Sequence, residues 1–232
     1  MAALPDLKNR LVIDQDLALL YAGFRDAVPE EWKKKAEELC AELVSCLSVQ
    51  VCWKKANLEK TEEGILLKGT GLVLPGSLAA GMLEDCDEAV LMAGTLGFGF
   101  ERKLHALALS RPQDALLFDA LGSSAIESVM NLLEEEIRKS EGMKDKYLTD
   151  RFSCGYGDLP LSLQKPLAEE LALTRTCGIY LSGSLMMNPT KSITAIAGIS
   201  AHPQPARIRG CSYCSMKENC ERRKGGKPCG VS

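Results

Sequence analysis

From Pro112 to about Gly142 the chain has little choice but to form one long helix. Proline suits the first helical turn, where its missing N–H is not needed. Leu116, Ile126, Val129, Met130, Leu133 and Ile137 then recur at helical spacing. Glu134, Glu135, Glu136, Arg138 and Lys139 populate the other side. Glu127 stands between Ile126 and Val129, beside the apolar stripe. An acid in that place reaches solvent, pairs with a nearby base, or faces a cationic ligand.

The helix is followed by Arg151-Phe152-Ser153-Cys154-Gly155-Tyr156-Gly157-Asp158, which is a poor helix and a poor strand. Glycine lets backbone approach a ligand without a Cβ in the way. Arginine offers a planar fork of donors that suits a carboxylate. The bland alternative is that Arg151 pairs with Asp158 or Glu127 and that Tyr156 is a core residue.

Upstream, Asp14 is placed to cap a first helix carrying Leu17, Leu20, Tyr21 and Phe24. A second helix starts at Pro29, with Trp32, Ala36, Leu39, Cys40, Leu43, Val44 and Leu47 on one face. Val49, Val51 and Trp53 alternate as in a half-buried strand, and residues 64–75 read as a strand and a turn. Ser77 is placed to cap a short helix through Cys86, and Ala89–Ala93 reads as a buried strand. That strand runs into Gly94-Thr-Leu-Gly97-Phe-Gly99 and a helix from about Phe100. The glycine spacing is reversed relative to a dinucleotide fingerprint, so a tight strand-to-helix turn is the better reading. Beyond the Arg151 loop, Gln164–Leu173 reads as helix, with strand-like segments at Gly178–Met187 and Ser192–Ser200. Helical runs beside clustered strands, without regular βαβ alternation, define an α+β class.

The 232 residues suffice for one sizeable core with a small appendage, here residues 1–206 and 207–232. A net charge of −3 gives no reason to expect nucleic acid as a partner. No run of 18 apolar residues occurs, so no membrane span is expected. The N-terminal residues lack the basic start and apolar core of a signal peptide, and the chain reads as cytoplasmic.

Six of the ten cysteines (Cys40, Cys46, Cys52, Cys86, Cys154, Cys177) are scattered among apolar or mixed segments. In a reducing compartment such residues are usually small core hydrophobes. Cys211, Cys214, Cys220 and Cys229 instead crowd the C-terminal end, opening on a Cys-x-x-Cys pair. Four thiolates make a tetrahedral set for zinc or an iron–sulfur cluster. The spacing does not decide between them, and a basic tail with free thiols is the alternative.

The order of motifs from about Ala120 to Ser200 carries a family resemblance. A long helix ends Glu-Glu-Glu-Ile-Arg-Lys, Arg-x-x-x-Gly-Tyr follows, and then Leu-Ser-Gly-Ser-Leu-Met-Met-Asn-Pro-Thr-Lys-Ser-Ile-Thr. This resembles the activation (reactivation) domain of cobalamin-dependent methionine synthase, and more closely the shorter free-standing proteins built on it. The resemblance implies an α+β fold with a twisted antiparallel sheet and flanking helices. It also implies S-adenosylmethionine bound at the Arg-x-x-x-Gly-Tyr loop. Arg151 would hold the ligand carboxylate, the backbones of Ser153, Gly155 and Tyr156 would line the adenosine site, and Glu127 would approach from the long helix. Where the large enzymes carry bulky aromatics near the ligand on the last strand, this chain has Ala195, Ile196 and Ala197.

The corrinoid-binding signature Asp-x-His-x-x-Gly is absent, and the histidines are His105 and His202. Cobalamin is therefore expected on a partner methyltransferase, with an electron from a flavodoxin- or ferredoxin-type reductant or through a cluster in the cysteine tail. The function that the resemblance implies is reductive reactivation of that partner, methionine synthase in the first place, by methylation from S-adenosylmethionine. No side chain needs to act as acid or base, so no catalytic residue is expected. Two alternatives are a non-catalytic corrinoid-protein-binding module with a zinc tail, and an iron–sulfur electron-transfer protein without S-adenosylmethionine turnover.

Overall fold

The computed structural model describes residues 7–24, 28–205, 207–208, 218 and 224. Cys211, Cys214, Cys220 and Cys229, with the division of the chain at residue 206, lie outside the described residues.

The long helix, α5 in chain order, spans Pro112–Lys139 with Pro112 in its first turn. Before it come α1 (Gln15–Tyr21), α2 (Glu30–Cys46), β1 (Gln50–Thr61), β2 (Gly64–Leu67), β3 (Val73–Leu74), α3 (Gly76–Met82), β4 (Glu88–Thr95) and α4 (Phe98–Ser110). After it come β5 (Tyr147–Leu148), α6 (Gln164–Glu170), α7 (Leu173–Thr176), β6 (Tyr180–Leu181), β7 (Met187–Asn188) and β8 (Ser192–Ser200). Asp14 caps α1 as its position implies, accepting from the Leu17 N–H at 2.8 Å.

Among the described residues, six strands form one antiparallel sheet in the order β3-β2-β1-β4-β8-β5, and β6 and β7 form a separate hairpin. The class is α+β. The central strand β4 reads as a continuous apolar run because both of its faces are covered. Val90 and Met92 face Met130, Leu133 and Ile137 of α5, together with Ala195, Ala197 and Ile199 of β8. Ala89, Leu91 and Ala93 face the opposite layer, built from α3, α6 and α7 through Ala79, Met82, Leu167 and Leu173. The period of two along the strand assigns alternate residues to the two layers. A third cluster joins α1, α2, α4 and α5 through Leu19, Leu39, Leu43, Phe100, Phe118 and Leu121. Phe100 and Phe118 stack there with centroids 5.1 Å apart.

The β4–α4 glycines serve packing. Gly97 has φ +81°, and a Cβ on Gly99 would stand 1.9 Å from the Cys46 carbonyl oxygen. Only a residue without a side chain lets α4 start against the end of α2. By length and composition α5 could cross a membrane, but 67% of its most apolar window is buried in the fold.

Three local expectations are corrected. Ser77 does not cap α3; the helix opens at Gly76, and Asp158 from the Arg151 loop bonds its first turn. The segment 178–187 is not one strand but leads into the short β6–β7 hairpin. Helix 164–173 breaks at Ala172, which adopts a left-handed conformation and starts α7. Ala195, Ile196 and Ala197 are fully buried between the two layers, so the positions matched to ligand-facing aromatics are core positions here.

Candidate functional site

The chain that carries Arg151 runs along the open edge of β8. Leu148 pairs with Ile199, the Thr149 N–H donates to the Gly198 carbonyl at 3.0 Å, and Phe152 exchanges hydrogen bonds with Ile196 at 2.9 and 2.8 Å. Extended backbone alternates its side chains. Phe152 therefore enters the α3/α6 layer, and Arg151 turns toward α5.

On α5, Glu127, Asn131 and Glu134 stand at i, i+4 and i+7, which is one stripe of a helix. Arg151 meets all three. Its Nη1 donates to Asn131 Oδ1 at 2.9 Å and to Glu134 Oε1 at 2.5 Å, and its Nη2 donates to Glu127 Oε2 at 2.5 Å. The two acids differ sharply in burial. The Glu134 side chain is 3% exposed and the Arg151 side chain 8%, whereas Glu127 is 60% exposed. Glu134 also accepts from Arg138 at 3.2 Å, so its charge is shared between two guanidinium groups.

Past Phe152 the loop folds into consecutive turns. The Tyr156 N–H donates to the Ser153 carbonyl at 3.2 Å, and the Gly155 N–H donates to the Leu159 carbonyl at 2.9 Å. Gly155 and Gly157 take φ of +84° and +58°, a region in which a side chain is strained. Tyr156 is exposed between them, which removes the reading of it as a core residue. The Ser153 hydroxyl donates to the Thr194 carbonyl at 2.7 Å, leaving its backbone as the part that faces the loop. Burial pushes the Cys154 thiol up to about 11, so the cysteine inside the motif stays protonated at neutral pH.

Two supports were missed from sequence. Glu134 looked like one of three acids on a solvated helix face, although its spacing from Glu127 and Asn131 marks a shared stripe. Gln164 is buried at the start of α6, and its amide both donates to and accepts from the Thr194 hydroxyl, at 2.9 and 3.0 Å. Gln164 and Ser153 thus grip the same residue of β8. The pairing of Arg151 with Glu127 is present and that with Asp158 is not, because Asp158 is committed to α3. Among the described residues no group of three or more His, Cys, Asp or Glu is arranged to hold a metal.

An open antiparallel sheet with a long helix across one face, and an Arg-Gly-Tyr loop at its edge, defines a class of fold. The fold is similar to that of a solved methionine synthase reactivation domain. One similar solved structure is the crystal structure of the MetH reactivation domain bound to AdoHcy. It is similar at a TM-score of 0.62 and 14% sequence identity, covering 97% of this chain and 84% of that chain. No protein-family model matches the chain, and no match is found among curated proteins.

Proposed function

We propose that this chain binds S-adenosylmethionine across the Arg151–Tyr156 loop and serves the reductive remethylation of a corrinoid-dependent methyltransferase, methionine synthase in particular. The observation that carries the reading is the state of Arg151. Its guanidinium is fixed by buried Glu134 and by half-buried Asn131, while its other terminal nitrogen points to the exposed Glu127. The donor set fits the amino-acid end of the ligand. A guanidinium complements the carboxylate, and an exposed acid beside it complements the ammonium. The exposed turn at Gly155, Tyr156 and Gly157 offers backbone and one aromatic ring to the nucleoside end. The AdoHcy bound to the structural neighbour supports the same class of ligand.

S-adenosylmethionine supplies the methyl group, and a corrinoid carried by the partner accepts it. The role of this chain is to bind and orient the donor, which lowers the barrier by proximity. Cys211, Cys214, Cys220 and Cys229 hold zinc or an iron–sulfur cluster in this reading. A flavodoxin- or ferredoxin-type protein, or that cluster, brings the electron in the cytoplasm.

The test uses a cob(II)alamin-loaded methionine synthase trimmed of its own reactivation domain, a low-potential reductant and methyl-labelled S-adenosylmethionine. Label reaching the corrinoid only when this protein is added, and lost with Arg151→Gln, is the expected result. Transfer no faster than in the protein-free control opposes the reading.

A further inference from the structure

The bonds around Arg151 are unequal in a way that a simple ion pair is not. Nη1 carries two hydrogens, and both are taken, by Asn131 and by Glu134. Glu134 is buried with the guanidinium, so parting them would cost a charge-assisted contact away from water. Nη2 is met by Glu127, whose side chain is largely in solvent. An exposed carboxylate is rehydrated when it lets go, so that contact is weakly held.

We propose that Glu127 occupies, in the free protein, the seat on Arg151 that the ligand's carboxylate takes, so that binding exchanges one carboxylate for another. Glu134 and Asn131 are positioning residues that hold the guanidinium through the exchange. The inference rests on reading the Arg151 loop as the site of an S-adenosyl ligand, and it adds a selection rule to that site. The displaced Glu127 needs a cation. A ligand with a carboxylate alone takes the seat but leaves Glu127 uncompensated. A ligand with an ammonium next to its carboxylate satisfies both groups, so the site selects an α-amino acid end.

Three probes separate the parts: S-adenosylhomocysteine, its deaminated analogue (carboxylate without ammonium), and 5′-methylthioadenosine, which has neither. Calorimetric titrations compare wild type with Glu127→Gln, whose exposed position leaves the unfolding midpoint as a control on folding. The substitution should tighten the deaminated analogue by about two- to fivefold, the scale of one exposed charged contact. It should leave 5′-methylthioadenosine unchanged and narrow the advantage of S-adenosylhomocysteine. Raising the salt to 0.5 M should leave the gain in place, because a contact exchange persists where a long-range charge effect is screened. Glu134→Gln should weaken S-adenosylhomocysteine and spare 5′-methylthioadenosine, a split that general loss of structure does not produce. If wild type binds S-adenosylhomocysteine but Glu127→Gln binds the deaminated analogue no better, the exchange is overturned and the ligand site stands. If wild type binds none of the three, the ligand site is overturned and the exchange with it.

Discussion

The Asp158 carboxylate accepts from the Ser77 backbone N–H at 2.6 Å and from the Ser77 hydroxyl at 2.8 Å, across 81 residues of sequence. It also accepts from the Leu78 N–H at 3.0 Å, so the first turn of α3 is capped by the far end of the Arg151 loop. The loop is therefore tethered at both ends, by Phe152 on β8 and by Asp158 on α3.

Asp158→Ala should lower the thermal midpoint and weaken S-adenosylhomocysteine together, because one contact serves helix and loop. Hydrogen bonds from the Ser77 hydroxyl and the Leu78 and Ser77 backbones hold this carboxyl below its ordinary value. A depressed folded value means the contribution is complete above the unfolded carboxylate range, near pH ~4. It is lost as pH falls through the lower folded value. The gap in midpoint between wild type and Asp158→Ala should therefore be constant from pH 5 to 7 and close in stronger acid. A gap that does not change with acidification would show that the carboxylate charge is not what matters.

Arg151→Met takes from buried Glu134 one of its two guanidinium partners. The loss should be roughly 3 kcal/mol, the scale for removing one partner of a buried pair. Adding Glu134→Leu should restore much of it, since a matched apolar pair is tolerated where a stranded charge is not. Urea unfolding of the two single variants and the double variant gives the coupling directly.

Gln164→Leu removes the amide that both donates to and accepts from Thr194 Oγ1. A buried hydroxyl left unsatisfied costs about 1–3 kcal/mol. Thr194→Val in the same chain should recover part of that loss, and a double-mutant cycle in urea measures how much.

Gly99→Ala places a Cβ 1.9 Å from the Cys46 carbonyl, where backbone has no room to give. Gly69 has an open environment and φ +78°, so Gly69→Ala should cost only local strain, about 1 kcal/mol. Expression and thermal midpoints of the two variants should differ widely in that order. Near-equal midpoints would refute the packing role assigned to Gly99.

Much of the framework was legible because its signals are local. Pro112 and the apolar stripe marked α5, Asp14 marked the start of α1, and the uninterrupted Ala89–Ala93 run marked a strand buried on both faces. What escaped depends on distant chain segments. Nothing near Ser77 announces that its cap comes from Asp158, and the acidic run 134–136 hides the one acid that turns inward. Ala195–Ala197 stand where the resemblance places aromatics in the large enzymes, and only the pairing of Phe152 with Ile196 reveals that this segment lies inside the sheet. Arg151 and Glu127 were singled out by their chemistry together with the family resemblance, and their contact was one of the pairings weighed.

The most direct measurement is the preference for S-adenosylhomocysteine over 5′-methylthioadenosine, titrated into wild type and into Arg151→Gln. The two ligands share the nucleoside and differ in the amino-acid end, so their ratio isolates the carboxylate seat. Wild type should prefer S-adenosylhomocysteine by about tenfold or more, the scale of one charge-assisted hydrogen bond, and Arg151→Gln should erase that preference. Equal affinity in wild type, or a preference that survives the substitution, would contradict the assignment of Arg151 as the seat of the ligand's carboxylate.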